Sequence, residues 1–89
     1  MKKGALIISR KKLTSQDASS LSRLAPESIW MNSGVVIRGV YEGRIYLVDV
    51  ISGKNIATEL APVVDIMIAG KIIKEVPIRC LDRVEDAER

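Results

Sequence analysis

Residues 34–52 read GVVIRGVYEGRIYLVDVIS. Within this stretch, Val35 to Ile51 forms two β-branched runs around Glu42-Gly43. With those two residues as the loop of a hairpin, Tyr41 faces Arg44, Gly39 faces Tyr46, Ile37 faces Val48 and Val35 faces Val50. Side chains alternate across a strand, so this register gathers Val35, Ile37, Tyr46, Val48 and Val50 on one face. Gly39 leaves room for the Tyr46 ring. Arg38 and Asp49 fall on the other face, within diagonal reach of each other. One register thus separates an apolar face from a mixed one, the pattern of a half-buried sheet.

The flanking chain continues the strand pattern. Ala5-Leu6-Ile7-Ile8-Ser9 is a short apolar run ended by Arg10, and reads as a first strand. Thr14-Ser15-Gln16-Asp17 has the shape of a capping box. Ala18, Leu21 and Ala25 follow at helical spacing with Leu24 beside them, and Pro26 disfavours helix at Ala25. A helix this short, with four serines, needs to dock through Leu21 and Leu24. Ser28 to Met31 reads as a short strand, Asn32-Ser33-Gly34 as a turn, and Ser52-Gly53-Lys54-Asn55 as another. Ile56, Thr58 and Leu60 alternate with Ala57 and Glu59 at a period of two. Val63 to Ala69 and Ile72 to Val76 form a further hairpin around Gly70. Its loop is either Gly70-Lys71, suited to a type II′ turn, or Ala69-Gly70, which sets Asp65 opposite Lys74. Pro77 cannot donate to a ladder, so the last strand is an edge or ends there. Asp82 to Arg89 is charged and reads as a frayed helix.

Eighty-nine residues predict one domain spanning 1–89. Such a chain buries roughly 60–65% of its unfolded surface. Yet 47% of its residues are hydrophobic, with 21 Ile and Val and no Phe. Branched aliphatics in this number indicate a β-rich core, and their excess points to a further buried surface. The expected fold is mainly β: a small barrel-like or sandwiched antiparallel sheet of five to seven strands with one short helix at about 14–25. The expected assembly is an intertwined or sheet-paired homodimer.

The lone Cys80 cannot form an internal disulfide and reads as an inert core thiol. Lys2-Lys3 precede an apolar run too short for a signal peptide, and no window approaches a membrane span. A cytoplasmic protein with no membrane partner is expected. Histidine is absent, so no Ser-His-Asp or Cys-His arrangement can form, and one cysteine does not make an ordinary zinc site. Neither a phosphate-binding G-x-x-x-x-G-K-[ST] loop nor a G-x-G-x-x-G fingerprint occurs. The expectation is a non-enzyme without cofactor or metal.

Charge is uneven. The formal net charge is +3, but residues 1–12 hold five cations and no acid, while residues 75–89 hold five acids against three arginines. A basic patch is an electrostatic footprint for nucleic acid. The candidate nucleic-acid-binding residues are Arg10, Lys11 and Lys12 at the exit of the first strand, with Arg44 on the central hairpin. The aromatics are Trp30, Tyr41 and Tyr46 only, and Tyr46 is assigned to the core. Recognition through several exposed rings is therefore not expected, and cations and backbone groups would carry it.

The run Ala5-Leu6-Ile7-Ile8-Ser9-Arg10-Lys11 resembles the opening strand of the carbon storage regulator (CsrA/RsmA) family, M-L-[IV]-L-[ST]-R-[KR]. Glu27-Ser28-Ile29 is similar to the G-E-[ST]-[IL] that follows in the family, with the helical segment as an insertion. Tyr41-Glu42-Gly43 sits where the family has its first hairpin turn. Val48 to Ala57 resembles the family's I-G-[IV]-x-A-P-[KR]-x-V-x. The resemblance covers residues 5–11 and 27–57. It implies an intertwined β dimer that binds GGA-containing RNA hairpins in messenger leaders and represses translation. Of the family's RNA site, Arg10 with Lys11 is retained. Departures are clear: Ser52-Gly53 replaces Ala-Pro, Leu60 stands at the position of the RNA-gripping arginine, and Val63 to Leu81 has no counterpart in short members.

Two functions follow. One is a small RNA-binding translational regulator using its basic first strand. The other is a protein-interaction or assembly module of the kind found in phage, plasmid and toxin–antitoxin systems, using apolar surface and edge strands.

Overall fold

Glu42 and Gly43 do not turn the chain. The computed structural model, which describes residues 1–84, carries them inside one strand, β2 (Gly34–Val48). Its antiparallel partner is β3 (Asn55–Ile68), and the turn lies at residues 49–54. A tight hairpin at Glu42-Gly43 would draw on left-handed backbone, which Gly43 does not adopt. Gly43 is needed for a different reason: a Cβ there would overlap Val63 Cγ2. The true turn is built by Asp49. Its carboxylate accepts from Ile51 N at 3.0 Å and Ser52 Oγ at 2.9 Å, while Gly53, at φ +74, donates to Asp49 O at 2.7 Å. These donors hold Asp49 below the usual carboxylate range, the Ile51 amide first among them. Asp49 therefore serves its own turn and not Arg38, whose guanidinium lies 3.7 Å over the Tyr41 ring.

The described residues form one open antiparallel sheet, completed by β1 (Leu6–Ser9), β4 (Lys71–Pro77) and β5 (Leu81–Arg83), in the order β4-β3-β2-β1-β5. The expected mainly β class is thus observed, with five strands, within the expected five to seven, laid out as one open sheet where a barrel-like or sandwiched one was expected. Register shifts interrupt β2 between Val36 and Arg38, between Arg38 and Tyr41, and between Leu47 and Val48. Bulges bend a strand and shift which side chains face inward. The buried positions accordingly run Gly34 and Val36, then Gly43 and Ile45, then Val48. The expected face of Val35, Ile37, Tyr46, Val48 and Val50 does not exist as a unit. Tyr46 leaves the core and Val50 is exposed.

Thr14 caps α1 (Ser15–Leu24) by accepting from Asp17 N at 3.1 Å, as its spacing predicts. Leu21 is buried and Leu24 half-buried. The strand expected at Ser28 to Met31 is instead a helical turn, α2 (Glu27–Trp30). Pro26 sets its entry at φ −60, and the Asn32 side-chain amide donates to Ser28 O and Ile29 O at its end. Burial of Trp30 beneath this turn outweighs its β propensity. Ile7, Leu21, Trp30, Val36, Val64, Ile66, Val76 and Leu81 form the core between sheet and helices. Cys80 is buried beside them in a 3₁₀ turn, Ile78–Cys80, and burial pushes its thiol up to about 11. From Asp82 the expected helix gives way to β5, which pairs with β1 through Arg83; residues 85–89 lie outside the described residues. Among the described residues no helix is long and apolar enough to cross a membrane.

The β3–β4 loop is Ala69-Gly70, because Ile68 pairs with Lys71. Both loop residues have positive φ, 49 and 75, the signature of a type I′ turn. Alanine in this region is strained by its Cβ, whereas asparagine tolerates it. Ala69→Asn is expected to raise stability by about 0.5–1 kcal/mol, seen as a melting point about 3–6 °C higher. An unchanged or lower melting point would contradict the assignment. Beyond the turn a bulge between Val64 and Ile66 keeps Asp65 from the simple pairing with Lys74. Glu75 takes φ +56 there, and its N–H donates to Asp65 Oδ1 at 3.0 Å.

Candidate nucleic-acid interface

β1 delivers Arg10, Lys11 and Lys12 to one exposed bend. The Arg10 backbone N–H donates to Cys80 O at 2.8 Å, which continues the β1–β5 pairing and fixes where the bend begins. Its side chain reaches Asp82 on β5 at 3.2 Å. Arg10 is exposed and Asp82 partly so, and the pair therefore adds little stability and leaves the guanidinium within reach of another anion. The three cations border a shallow hollow of about 310 Å³ with Ile8, Ser9 and Asp82.

Arg44 is in a different depression. Its position follows from how β2 is finished at its outer edge, where the residues pairing outward are Arg44, Tyr46 and Val48. β4 is two strands away in the sheet, but the bent strands bring Glu75 back to β2, and Arg44 N donates to Glu75 Oε2 at 3.0 Å. From α1, the Ser20 hydroxyl lies 3.0 Å from Gln16 O and 3.5 Å from Tyr46 O. With its amide oriented to match the strand, Gln16 donates to Val48 O at 2.6 Å and accepts from Val48 N at 2.7 Å. Three side chains thus occupy the edge that a further strand would otherwise use. The serines and glutamine that make α1 a poor helix in isolation are what fasten it here.

Fastening α1 along β2 carries Arg23 over the Tyr46 ring, at 3.7 Å from the centroid. Arg44 and Tyr46 are two apart on one strand and share a face. Thr58 lies directly opposite Tyr46 on β3, and its hydroxyl accepts from Arg44 Nη1 at 3.0 Å. Arg44 therefore holds its charge beside the ring that Arg23 covers. Lys74, exposed on β4, completes a cleft of about 100 Å³ floored by Leu24, Ile45 and Pro77. Three cations from three elements meet there, with Glu75 as the acid among them.

Of the four candidates read from the sequence, Arg10, Lys11 and Lys12 border one hollow and Arg44 lines a different cleft. Arg23 and Lys74 were not candidates. Arg23 is the only cation of α1, and its neighbours arrive from β2 and β4. Arg44 and Tyr46, two apart on one strand, share a face in the hairpin reading as well as in the continuous β2, and that pairing was the available signal. Searches against protein-family models, curated proteins and solved structures find nothing that matches this chain.

Proposed function

We propose that this protein is a small non-catalytic RNA-binding protein acting as a translational regulator. The observation that carries the reading is the convergence of Arg23, Arg44 and Lys74 from α1, β2 and β4 on one cleft. The resemblance of the first strand to the carbon storage regulator family supports it, as does the exposed Arg10-Lys11-Lys12 bend. Leu60, where that family has its second arginine, is exposed, and Arg44 lies opposite it on the ladder. Arg44 is thus in place to offer a guanidinium beside the position where the family's own is missing.

Binding of a labelled single-stranded RNA, followed by fluorescence anisotropy across a salt series, tests this. The charges of the three cleft cations, set against the RNA backbone, give a slope of log K against log salt of about −2. Raising salt from about 50 to 200 mM then weakens binding about twentyfold. Arg44→Ala with Lys74→Ala should reduce the slope to about −0.7 if the cleft is the grip. Lys11→Ala with Lys12→Ala should flatten it instead if the first-strand bend is. Absence of binding at low salt sinks the RNA reading.

A second reading is favoured by the far end of the β2–β3 ribbon. Ile51 is 98% exposed, and Val50, Ile56 and Leu60 are each more than half exposed. Apolar surface of this kind marks a protein-interaction or assembly module, or the face on which a homodimer forms. Light scattering at tens of micromolar distinguishes the cases. A dimer dispersed by Ile51→Glu with Ile56→Glu supports self-association through this end; a monomer that binds no RNA leaves the interaction module with another protein as partner.

A further inference from the structure

We propose that the cleft is selective for unpaired RNA, taking one base flat against the Arg23 guanidinium and the adjoining phosphates on Arg44 and Lys74. The inference rests on the RNA-binding reading and names the form of RNA the same site takes. Arg23 lies 3.7 Å over the Tyr46 ring centroid, so the ring supports one face of the guanidinium. Both residues are exposed, with 38% of Tyr46 open to solvent. The opposite face of the guanidinium is a planar, weakly hydrated cation, well suited to a base. Tyr46 prepays the ordering of a long side chain, which lowers the cost of using it. A duplex hides the faces of its bases, so only an unpaired nucleotide can complete such a stack.

Charge around the stack fits the rest of a nucleotide. Arg44 is held by Thr58 beside Tyr46, and Lys74 lies across the cleft, so two cations flank the platform. Among the described residues Glu75 is the one acid lining it, and the Arg44 N–H already occupies its Oε2. β2 also supplies an internal comparison. Arg38 lies over Tyr41 at the same 3.7 Å, but Tyr41 donates its hydroxyl to Asp65 and that pair lies outside the cation cleft.

The test uses a labelled single-stranded RNA of about 12 nucleotides, within the span one small domain covers, and the same strand annealed to its complement. A 2-aminopurine base in the strand reports stacking through quenching. The single strand is expected to bind at least about tenfold tighter than the duplex, with quenching on binding. Arg23→Lys keeps the charge and removes the plane. It should weaken single-strand binding about tenfold, abolish the quenching and leave the salt slope unchanged, whereas Arg38→Lys should match the parent protein. Equal affinity for strand and duplex, or an Arg23→Lys protein that binds and quenches like the parent, overturns the stacking proposal while the RNA reading stands. If neither RNA form binds at low salt, both fall together.

Discussion

Asp65→Ala is expected to destabilise the protein by about 2–4 kcal/mol. Asp65 is 94% removed from solvent, being 6% exposed, and Oδ1 accepts both the Tyr41 hydroxyl at 2.5 Å and the Glu75 N–H at 3.0 Å. Truncation leaves both donors without their partner, at about 1–3 kcal/mol for each that stays buried. It also removes the contact that holds Glu75 at positive φ, a conformation that itself costs on the order of 1 kcal/mol. Glu75 in turn accepts from Arg44 N, so the loss reaches the outer edge of β2 and the cleft beside it. For a domain of this length, total stability is roughly 5–13 kcal/mol, and the change takes a large share of it.

Urea denaturation of the single and double variants separates the contributions. Asp65→Asn keeps an acceptor in place and should cost less than the alanine. Asp65→Ala combined with Tyr41→Phe should cost less than the sum of the two, because each removes a group the other leaves unpaired. Strict additivity would mean the hydroxyl and carboxylate do not interact. The pH dependence gives an independent reading. Burial, then the hydrogen bond to Asp65, pushes Tyr41 up to about 12 from its ordinary 10. The folded state therefore holds the phenol proton more tightly than the unfolded chain does. That contribution is complete below pH 10 and is lost as pH rises through 12. Tyr41→Phe should lack this component of the alkaline loss.

The sequence disclosed the class of fold more readily than the shape of its central ribbon. The Thr14 cap and the Gly70 hairpin are local signals, set by residues within a few positions of one another, and each is found where its pattern lies; most period-two runs mark strands, but not which side chains are buried. The continuity of β2 is not local. Gly43 reads as a turn residue, yet its cause is Val63 on the facing strand, twenty residues away. The switches in buried parity from Val36 to Ile45 to Val48 come from bulges, which leave no periodic trace. The first-strand cations could be read because they are contiguous. Arg44 was read singly, but its grouping with Arg23 and Lys74 could not be, since their meeting depends on a bent sheet and on Gln16 and Ser20 fastening α1 to a strand edge. Ser28-Ile29-Trp30 looked like a strand by composition, and the burial of Trp30 decided otherwise.

Trp30→Ala is expected to cost about 3–5 kcal/mol, a large share of the roughly 5–13 kcal/mol total. The side chain is 6% exposed and stands in the core with Leu21, Ala25 and Val36. Its indole Nε1 donates to Leu21 O at 2.9 Å and Ala25 O at 3.1 Å. Leu21 O already accepts from the Ala25 N–H at 3.1 Å, whereas the Ala25 carbonyl lies just past the last turn, so the indole shares the first and caps the second, and α2 closes the end of α1 through this donor. Trp30→Phe keeps most of the apolar contact and removes the N–H, and should cost about 1–2 kcal/mol, or roughly 5–12 °C in melting point. The partition matters for the cleft as well. α1 carries Gln16, Ser20 and Arg23, so loosening its end should weaken RNA binding more than it changes the sheet. Circular dichroism with the strand signal retained, together with a fall in affinity for Trp30→Phe, is the expected pair of results. If Trp30→Phe melts with the parent protein, the indole N–H does not hold the end of α1. If it melts lower yet binds RNA unchanged, Arg23 does not depend on that end, and the coupling between core and cleft is lost.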